Sequence, residues 1–139
     1  GEELISVKFI VSADSITAAN ATNTVKAVTV VMSDGGRLLT EADVFRADSG
    51  WQDFITDRAV ARIAREFPDY PNFPPRRDVY ETATKPHLWL ITERGLVLMF
   101  PPLSFGGSHA DGGIEVTIPW SDLRDYLNPA APAPIRAAV

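Results

Sequence analysis

The feature that most constrains the fold is a pair of apolar runs in the second half of the chain. Residues 88–91 (Leu-Trp-Leu-Ile) and 96–100 (Leu-Val-Leu-Met-Phe) flank Glu93-Arg94-Gly95, a polar stretch with a glycine that is typical of a β-hairpin turn. Because side chains alternate between the two faces of a strand, both faces of this hairpin are apolar. Such a hairpin either lies mid-sheet with cover on each side or covers a surface that another domain or subunit completes.

Two β segments are predicted before the hairpin. Residues 4–13 alternate between apolar and polar types, which predicts a half-buried strand. Residues 24–32 form a second β-rich run, and Ser33-Asp34-Gly35-Gly36 has the composition of a tight turn after it. The apolar side chains that share one face of the first strand are Ile5, Val7, Phe9 and Val11.

Helix signals occupy the middle of the chain. Thr40 and Asp43 have the spacing of a cap on a short helical turn, and Ser49 and Gln52 have that of a capping box. The main helix is therefore predicted to begin near Gly50, and Pro68 is expected to end it. Its apolar face consists of Ile55, Ala59, Val60, Ile63, Ala64 and Phe67.

The remaining segments complete the predicted architecture. Residues 79–84 and 114–118 are interpreted as short strands, and Ser121 as the cap of a final short helix. The predicted class is α+β, with a largely antiparallel sheet packed by one main helix and a short C-terminal helix. Residues 1–128 are expected to form a single domain, and the Ala- and Pro-rich residues 129–139 an extended tail outside the core.

Composition excludes several classes of function. The net charge of −5 argues against a nucleic-acid partner, which needs a basic surface. No apolar run reaches the roughly 18 residues of a membrane-spanning helix, so no membrane contact by this segment is expected. With no cysteine and two histidines, the chain offers no thiol nucleophile and little for a metal site, and we expect no cofactor.

A glycine-rich loop, residues 101–113, carries the most suggestive polar group. Ser108, His109 and Asp111 place a hydroxyl, an imidazole and a carboxylate within four residues. Working triads are usually assembled from separate elements, so an ordinary loop is favoured and a hydrolase using these three residues stays a lesser alternative. A metal site that adds His87 or Glu115 lacks a recognisable ligand spacing and is also disfavoured.

Two side-chain groups leave alternatives open. Five arginines form either a solvated helix face with acidic partners or a surface that docks an anionic partner, and the solvated face is favoured. Trp120 is the tryptophan expected to be most exposed, and with Phe105 it could stack on sugar rings. The arginines are Arg58, Arg62, Arg65, Arg76 and Arg77.

Three segments in order, residues 37–45, 88–102 and 115–123, resemble the motifs of a known family. It is the domain found at the C-terminus of the lysozyme-sensing anti-sigma-V factor and beside polysaccharide deacetylase domains in bacterial envelope proteins. In that family a Pro-Tyr pair usually follows the hairpin, whereas Gly107-Ser108-His109-Ala110-Asp111-Gly112 stands there in this chain. The scaffold segments match the family better than this loop does.

The resemblance implies a periplasmic or otherwise extracytoplasmic binding or sensing module without catalysis. It also implies a possible upstream companion domain and an anchor or export signal in the full-length protein. The ligand would be a lysozyme-like protein or, alternatively, a cell-wall polysaccharide such as peptidoglycan, met through residues 101–113. The expected contact residues are Phe105, Gly106, Gly107, Ser108, His109, Asp111 and Trp120.

Overall fold

The computed structural model describes residues 4–13, 22–32, 35–101 and 113–139. The chain is α+β, as predicted, and the strands in these ranges form two antiparallel sheets. In chain order the elements are the strands β1 (Leu4–Ala13), β2 (Thr22–Val31) and β3 (Arg37–Leu38), the helices α1 (Glu41–Val44), α2 (Trp51–Glu66) and α3 (Arg76–Ala83), the strands β4 (Trp89–Ile91), β5 (Gly95–Phe100) and β6 (Ile114–Pro119), and the helices α4 (Trp120–Leu123) and α5 (Ala133–Ala137).

Each sheet has three strands in sequential order. The first sheet runs β1-β2-β3, with Val7 opposite Val28 near its middle. The second runs β4-β5-β6, so the predicted hairpin supplies its first two strands and β5 lies at its centre. All six residues of β5 are buried, which fits a strand that is covered on both faces.

The two apolar faces of the hairpin are covered by different layers of the same chain. Leu96 and Leu98 point into the main core, which also holds the buried faces of α2 and α3. Val97 and Met99 point the other way and pack in a second cluster with Ala27 of β2. The helices, the second sheet and the first sheet therefore form three stacked layers, and the first of the two predicted alternatives, cover on each side, is confirmed.

An aromatic cluster ties α1 and α2 to the second sheet. Phe45 and Trp51 stack with ring centroids 4.5 Å apart, and Trp89 meets both rings edge-on at 5.6 Å. The indole Nε1 of Trp89 donates to the carbonyl of Ala83 at 2.6 Å, so its one polar atom is satisfied inside the core. This cluster fixes where α3 ends relative to β4.

The helix caps are only partly as predicted. At α1 the capping box is confirmed, and the amide of Thr40 donates to the Asp43 carboxylate at 2.7 Å. Helix α2 begins at Trp51, close to the predicted start, but its N-cap is Gly50 with φ 79°, and the buried Ser49 hydroxyl has no hydrogen-bond partner within the described residues. The Ser49 box is therefore wrong, because a left-handed backbone at Gly50 places the cap one residue later.

The strand predicted at residues 79–84 is also wrong, because these residues lie in and just after α3. Val79 and Ala83 are four residues apart and both are buried, the spacing of one helix face. Arg77 and Glu81 have the same spacing on the exposed side and form an ion pair at 3.3 Å. Both pairs have the four-residue spacing of a helix. The segment has too few apolar residues for this spacing to be recognised from the sequence.

Strand β1 is confirmed with its predicted bounds, but its predicted apolar face is the exposed one, and the face with Leu4, Ser6 and Lys8 is turned toward the second sheet. Ile5, Val7 and Phe9 are 51%, 42% and 46% exposed. Ser6, on the opposite face, accepts a hydrogen bond from the amide of Ile91 at 3.0 Å and is 2.8 Å from the Thr29 hydroxyl. The polar face is turned inward because it satisfies a backbone donor at the edge of the second sheet.

Residues 129–139 do not form the predicted extended tail. Ala131 and Ile135 are 0% exposed and belong to the main core, and the segment ends in α5. The side-chain amide of Asn128 donates to the Ala42 carbonyl at 2.8 Å and so holds the start of the segment to α1. Pro132 and Pro134 begin the helix rather than prevent it, because the first turn of a helix needs no backbone donors.

Candidate functional site

The glycine-rich loop leaves from and returns to a rigid stem. Phe100 at the end of β5 pairs with Ile114 at the start of β6, and this antiparallel pair closes the base of residues 101–113. Phe100 and Met99 are each 1% exposed and are held in the main and second clusters. Phe105, Gly106, Gly107, Ser108, His109 and Asp111, the six loop residues expected to contact a ligand, lie outside the described residues.

A cavity of about 320 Å³ lies at the base of the loop. The Lys8 ammonium donates to the Glu115 carboxylate there, which joins β1 to β6 across the two sheets. Both side chains remain about one-third to one-half exposed (34% and 46%), so this pair adds little stability and stays accessible. The cavity is lined by Lys8, Val25, Met99, Phe100, Gly113, Ile114 and Glu115.

Trp120, the one predicted contact residue within the described part of the chain, is buried. It is 1% exposed, and its indole Nε1 donates to the carbonyl of Thr92 at 2.8 Å. The expectation of an exposed ring is wrong because Trp120 begins α4 and its side chain packs in the main core. Trp51 and Trp89 are also buried, so none of the three tryptophans presents a face to a sugar ring.

Two of the four candidate metal ligands considered from the sequence, His87 and Glu115, lie within the described residues. Glu115 is paired with Lys8, and burial together with the nearby charges of Lys85 and Lys26 lowers the pKa of His87. Within the described residues, no three His, Cys, Asp or Glu side chains gather as metal ligands would. His109 and Asp111 lie outside those residues.

Four of the five arginines make ion pairs with neighbouring carboxylates. Arg58 pairs with Asp122 at 2.6 Å, which links α2 to α4, and Arg76 pairs with Asp53 and Asp57 at 2.8 and 3.0 Å. Two further pairs, Arg62 with Glu66 and Arg77 with Glu81, run along their own helices. This arrangement favours the solvated helix face over an anionic docking surface.

A larger cavity of about 450 Å³ lies between β1, the β4–β5 turn and α5. Its floor includes the buried Leu4 and Ile135, and the hydroxyls of Ser6 and Thr92 that face it already make hydrogen bonds. Glu93 is the one ionisable side chain among its lining residues. Sequence reasoning missed this cavity because one wall is the segment predicted as a tail.

No helix in the described ranges is both long and apolar enough to cross a membrane.

Three ionisable groups in the described ranges have clearly displaced pKa values, and each displacement has a structural cause. Hydrogen bonds from Arg37 lower the pKa of Asp43 to about 2, and those to Asp53 and Asp57 raise the pKa of Arg76. These groups stand at caps and helix surfaces.

Comparison with known proteins places the chain in a family. A family model described as a protein of unknown function (DUF3298) matches residues 42–121, which is more than half of the 139 residues. The chain belongs to the DUF3298 family. The matched DUF3298 segment runs from α1 into α4 and contains the whole second sheet, while β1, β2, β3 and α5 lie outside it. No curated protein matches the chain.

Proposed function

We propose that this DUF3298 chain is an extracytoplasmic binding or sensing module of a bacterial envelope protein, without catalysis of its own. The observation that carries the proposal is the anchoring of residues 101–113. The loop begins after Phe100, a buried residue at the end of β5, and ends before Ile114 at the start of β6. These two residues pair with each other. Recognition commonly resides on loops that a rigid scaffold holds in place, so this stem suits a binding loop.

The ligand that we propose is a protein of the lysozyme-like kind suggested by the resemblance. Stacking on a polysaccharide would require an exposed aromatic face, and Trp120 does not offer one. The accessible Lys8–Glu115 pair at the loop base supplies both a hydrogen-bond donor and an acceptor. The net charge of −5 would steer a basic protein toward the chain.

Absence of catalysis is supported by the way polar groups are used in the described residues. Asp43 and Arg76, whose pKa values are displaced by hydrogen-bonded charges, serve a capping box and an ion-pair cluster. The Ser6 and Thr92 hydroxyls at the cavity of about 450 Å³ are engaged in hydrogen bonds within the fold. A nucleophile needs a base within hydrogen-bond reach and a third group to orient that base.

The experiment compares a loop variant with a matched surface variant. In the first, Phe105, Ser108, His109 and Asp111 are changed to Ala, and in the second the exposed Asp69 and Tyr70 are changed to Ala. Binding of purified lysozyme and of soluble peptidoglycan fragments is measured by calorimetry. We expect lysozyme to bind and the loop variant to weaken that binding by at least about tenfold, or ~1.4 kcal/mol.

Three outcomes of this comparison would contradict the proposal. Equal lysozyme affinity in wild type and loop variant would remove the loop from the binding surface. Binding of peptidoglycan but not of lysozyme would overturn the choice of a protein ligand. An equal loss in the Asp69 and Tyr70 variant would show that the effect is not local to the loop. Melting temperatures of all three proteins establish that they are folded.

The compartment is tested separately on the native full-length protein. Protease added to intact cells whose outer layers have been made permeable should digest an extracytoplasmic domain and leave a cytoplasmic marker protein untouched. Protection of the domain until the cytoplasmic membrane is disrupted would contradict the proposed location.

A further inference from the structure

The first sheet carries an apolar surface that remains exposed among the described residues. One face of this sheet packs on the second sheet through Ala27 and Thr29, which are buried. The opposite face, here called the outer face, carries five exposed apolar side chains that the strand registers place side by side. They are Ile5 (51% exposed), Val7 (42%), Phe9 (46%), Val28 (37%) and Leu38 (64%).

The outer face is continuous across the three strands. Val7 lies opposite Val28 at its centre, Ile5 lies opposite the half-buried Val30, and Val30 in turn lies opposite Leu38. From these exposures the five side chains present on the order of 500 Å² of apolar surface, the size of the largest patches on monomeric proteins, which are often functional. Isolated exposed apolar residues need no explanation, but a contiguous face of this size does.

Charge on the outer face does not oppose its association with an identical face. Among the described side chains, Lys26, opposite Phe9 at one end, is the charged residue that shares this face. Lys8 is turned inward to Glu115, and Arg37, whose partner Val31 is buried, is held by Asp43 at 2.6 Å. The described outer face therefore presents no carboxylate, although the chain carries a net charge of −5.

We propose that the outer face is the interface of a homodimer, in which two copies pack face to face across a two-fold axis near Val7. A second copy presents the same branched and aromatic side chains, and two such sheets pack about 10 Å apart with strands crossing at roughly 30°. The described side chains of this face offer a sugar or peptide no carboxylate or hydroxyl to recognise. An area on the order of 1,000 Å² from both copies lies at the low end of specific interfaces, so the dimer is reversible.

Sedimentation equilibrium over a concentration series tests the dimer. We expect the average mass of the wild type to rise from 15.2 kDa toward twice that value as concentration increases. Val7→Lys should raise the dimer dissociation constant at least about tenfold, because it buries a charge at the centre of the apolar interface. Tyr80→Lys adds the same charge at a similarly exposed site (37%) on α3 and should associate like the wild type.

A crosslinking experiment separates loss of the interface from loss of folding. The chain contains no cysteine, so Val7→Cys introduces one thiol at the centre of the outer face and Tyr80→Cys introduces one at the control site. A short bismaleimide should link two copies of the Val7→Cys protein and leave the Tyr80→Cys protein monomeric. Cysteine is a side chain of modest polarity, so both variants should fold, and their melting temperatures check this.

Each of the following results would contradict the homodimer at the outer face. A wild type that stays at 15.2 kDa throughout the series would overturn the homodimer, whichever other molecule the outer face contacts. A dimer that Val7→Lys leaves intact, or that Val7→Cys fails to crosslink, would place the interface elsewhere. Val7 lies on the outer face, whereas Lys8, at the loop base, lies on the opposite face of β1, so loss of dimerisation and loss of lysozyme binding can be measured independently.

Discussion

Truncating Ile135 to Ala tests whether the last eleven residues belong to the folded core. The side chain of Ile135 is 0% exposed, belongs to the main core and lines the cavity beneath α5. The composition of residues 129–139 predicts an extended tail instead, in which this substitution would have almost no effect. The variant therefore distinguishes the sequence-based prediction from the structure at a single position.

The expected loss follows from the carbon atoms removed and the space that remains. Ile→Ala deletes three buried carbons, worth ~0.8 kcal/mol each or ~2.4 kcal/mol in transfer free energy. A cavity term adds to this, and measured losses for such truncations span about 2–5 kcal/mol. Because Ile135 already borders a cavity of about 450 Å³, part of the new space joins it and can admit water. We therefore expect a loss of ~3 kcal/mol.

Urea unfolding followed by fluorescence of the three buried tryptophans measures this loss directly. A chain of this size loses roughly 4 °C in melting temperature per kcal/mol, so the Ile135→Ala protein should melt ~12 °C below the wild type. Val139→Ala, at a position that is 40% exposed, is the matched control and should change stability by less than ~0.5 kcal/mol. Equal stability of Ile135→Ala and the control would refute the placement of α5 in the core.

Two further predictions concern one carboxylate and one glycine. Hydrogen bonds from Arg37 lower the pKa of Asp43 from 3.8 to about 2, so its contribution to stability is present above pH 3.8 and is lost as pH falls toward 2. Asp43→Asn should accordingly destabilise the protein at pH 7 and much less at pH 2 in paired urea titrations, and an equal difference at both pH values would contradict this. Gly95→Ala should cost ~2 kcal/mol or more, because its Cβ would lie 2.2 Å from the Ile118 carbonyl oxygen in β6. An unchanged melting temperature would show that the two strands separate without cost.

Elements with a strong local period were predicted well. The alternation of residues 4–13 located β1, the Thr40 and Asp43 pair located α1, and the apolar runs of the hairpin located β4 and β5. The eight-residue α3 was mistaken for a strand, since a segment of two turns shows its 3.6-residue period only through pairs such as Val79 and Ala83. α5 was missed because Pro and Ala are common to tails and to first helical turns.

The candidate surfaces depend more heavily on tertiary contacts than the elements do. The exposure of Trp120 was mispredicted because its position after a strand does not reveal that the Thr92 carbonyl accepts its indole proton. The cavity beside α5 is formed where residues of α5 lie next to Leu4 and Ile91, which are far from α5 in the sequence. Neither relation has a signal in local sequence.

The sequence by itself determined that residues 4–13 form a strand with one apolar face and that the hairpin needs cover on both sides. Only the tertiary structure decided which face of the first sheet provides that cover. Val97 and Met99 required a layer above them, and the amide of Ile91, at the edge of the second sheet, required an acceptor. Ser6 supplies that acceptor, so the polar face of β1 turns inward and its apolar face remains exposed. Local alternation cannot encode this choice, because the amide that needs the acceptor belongs to a strand 85 residues away in the sequence.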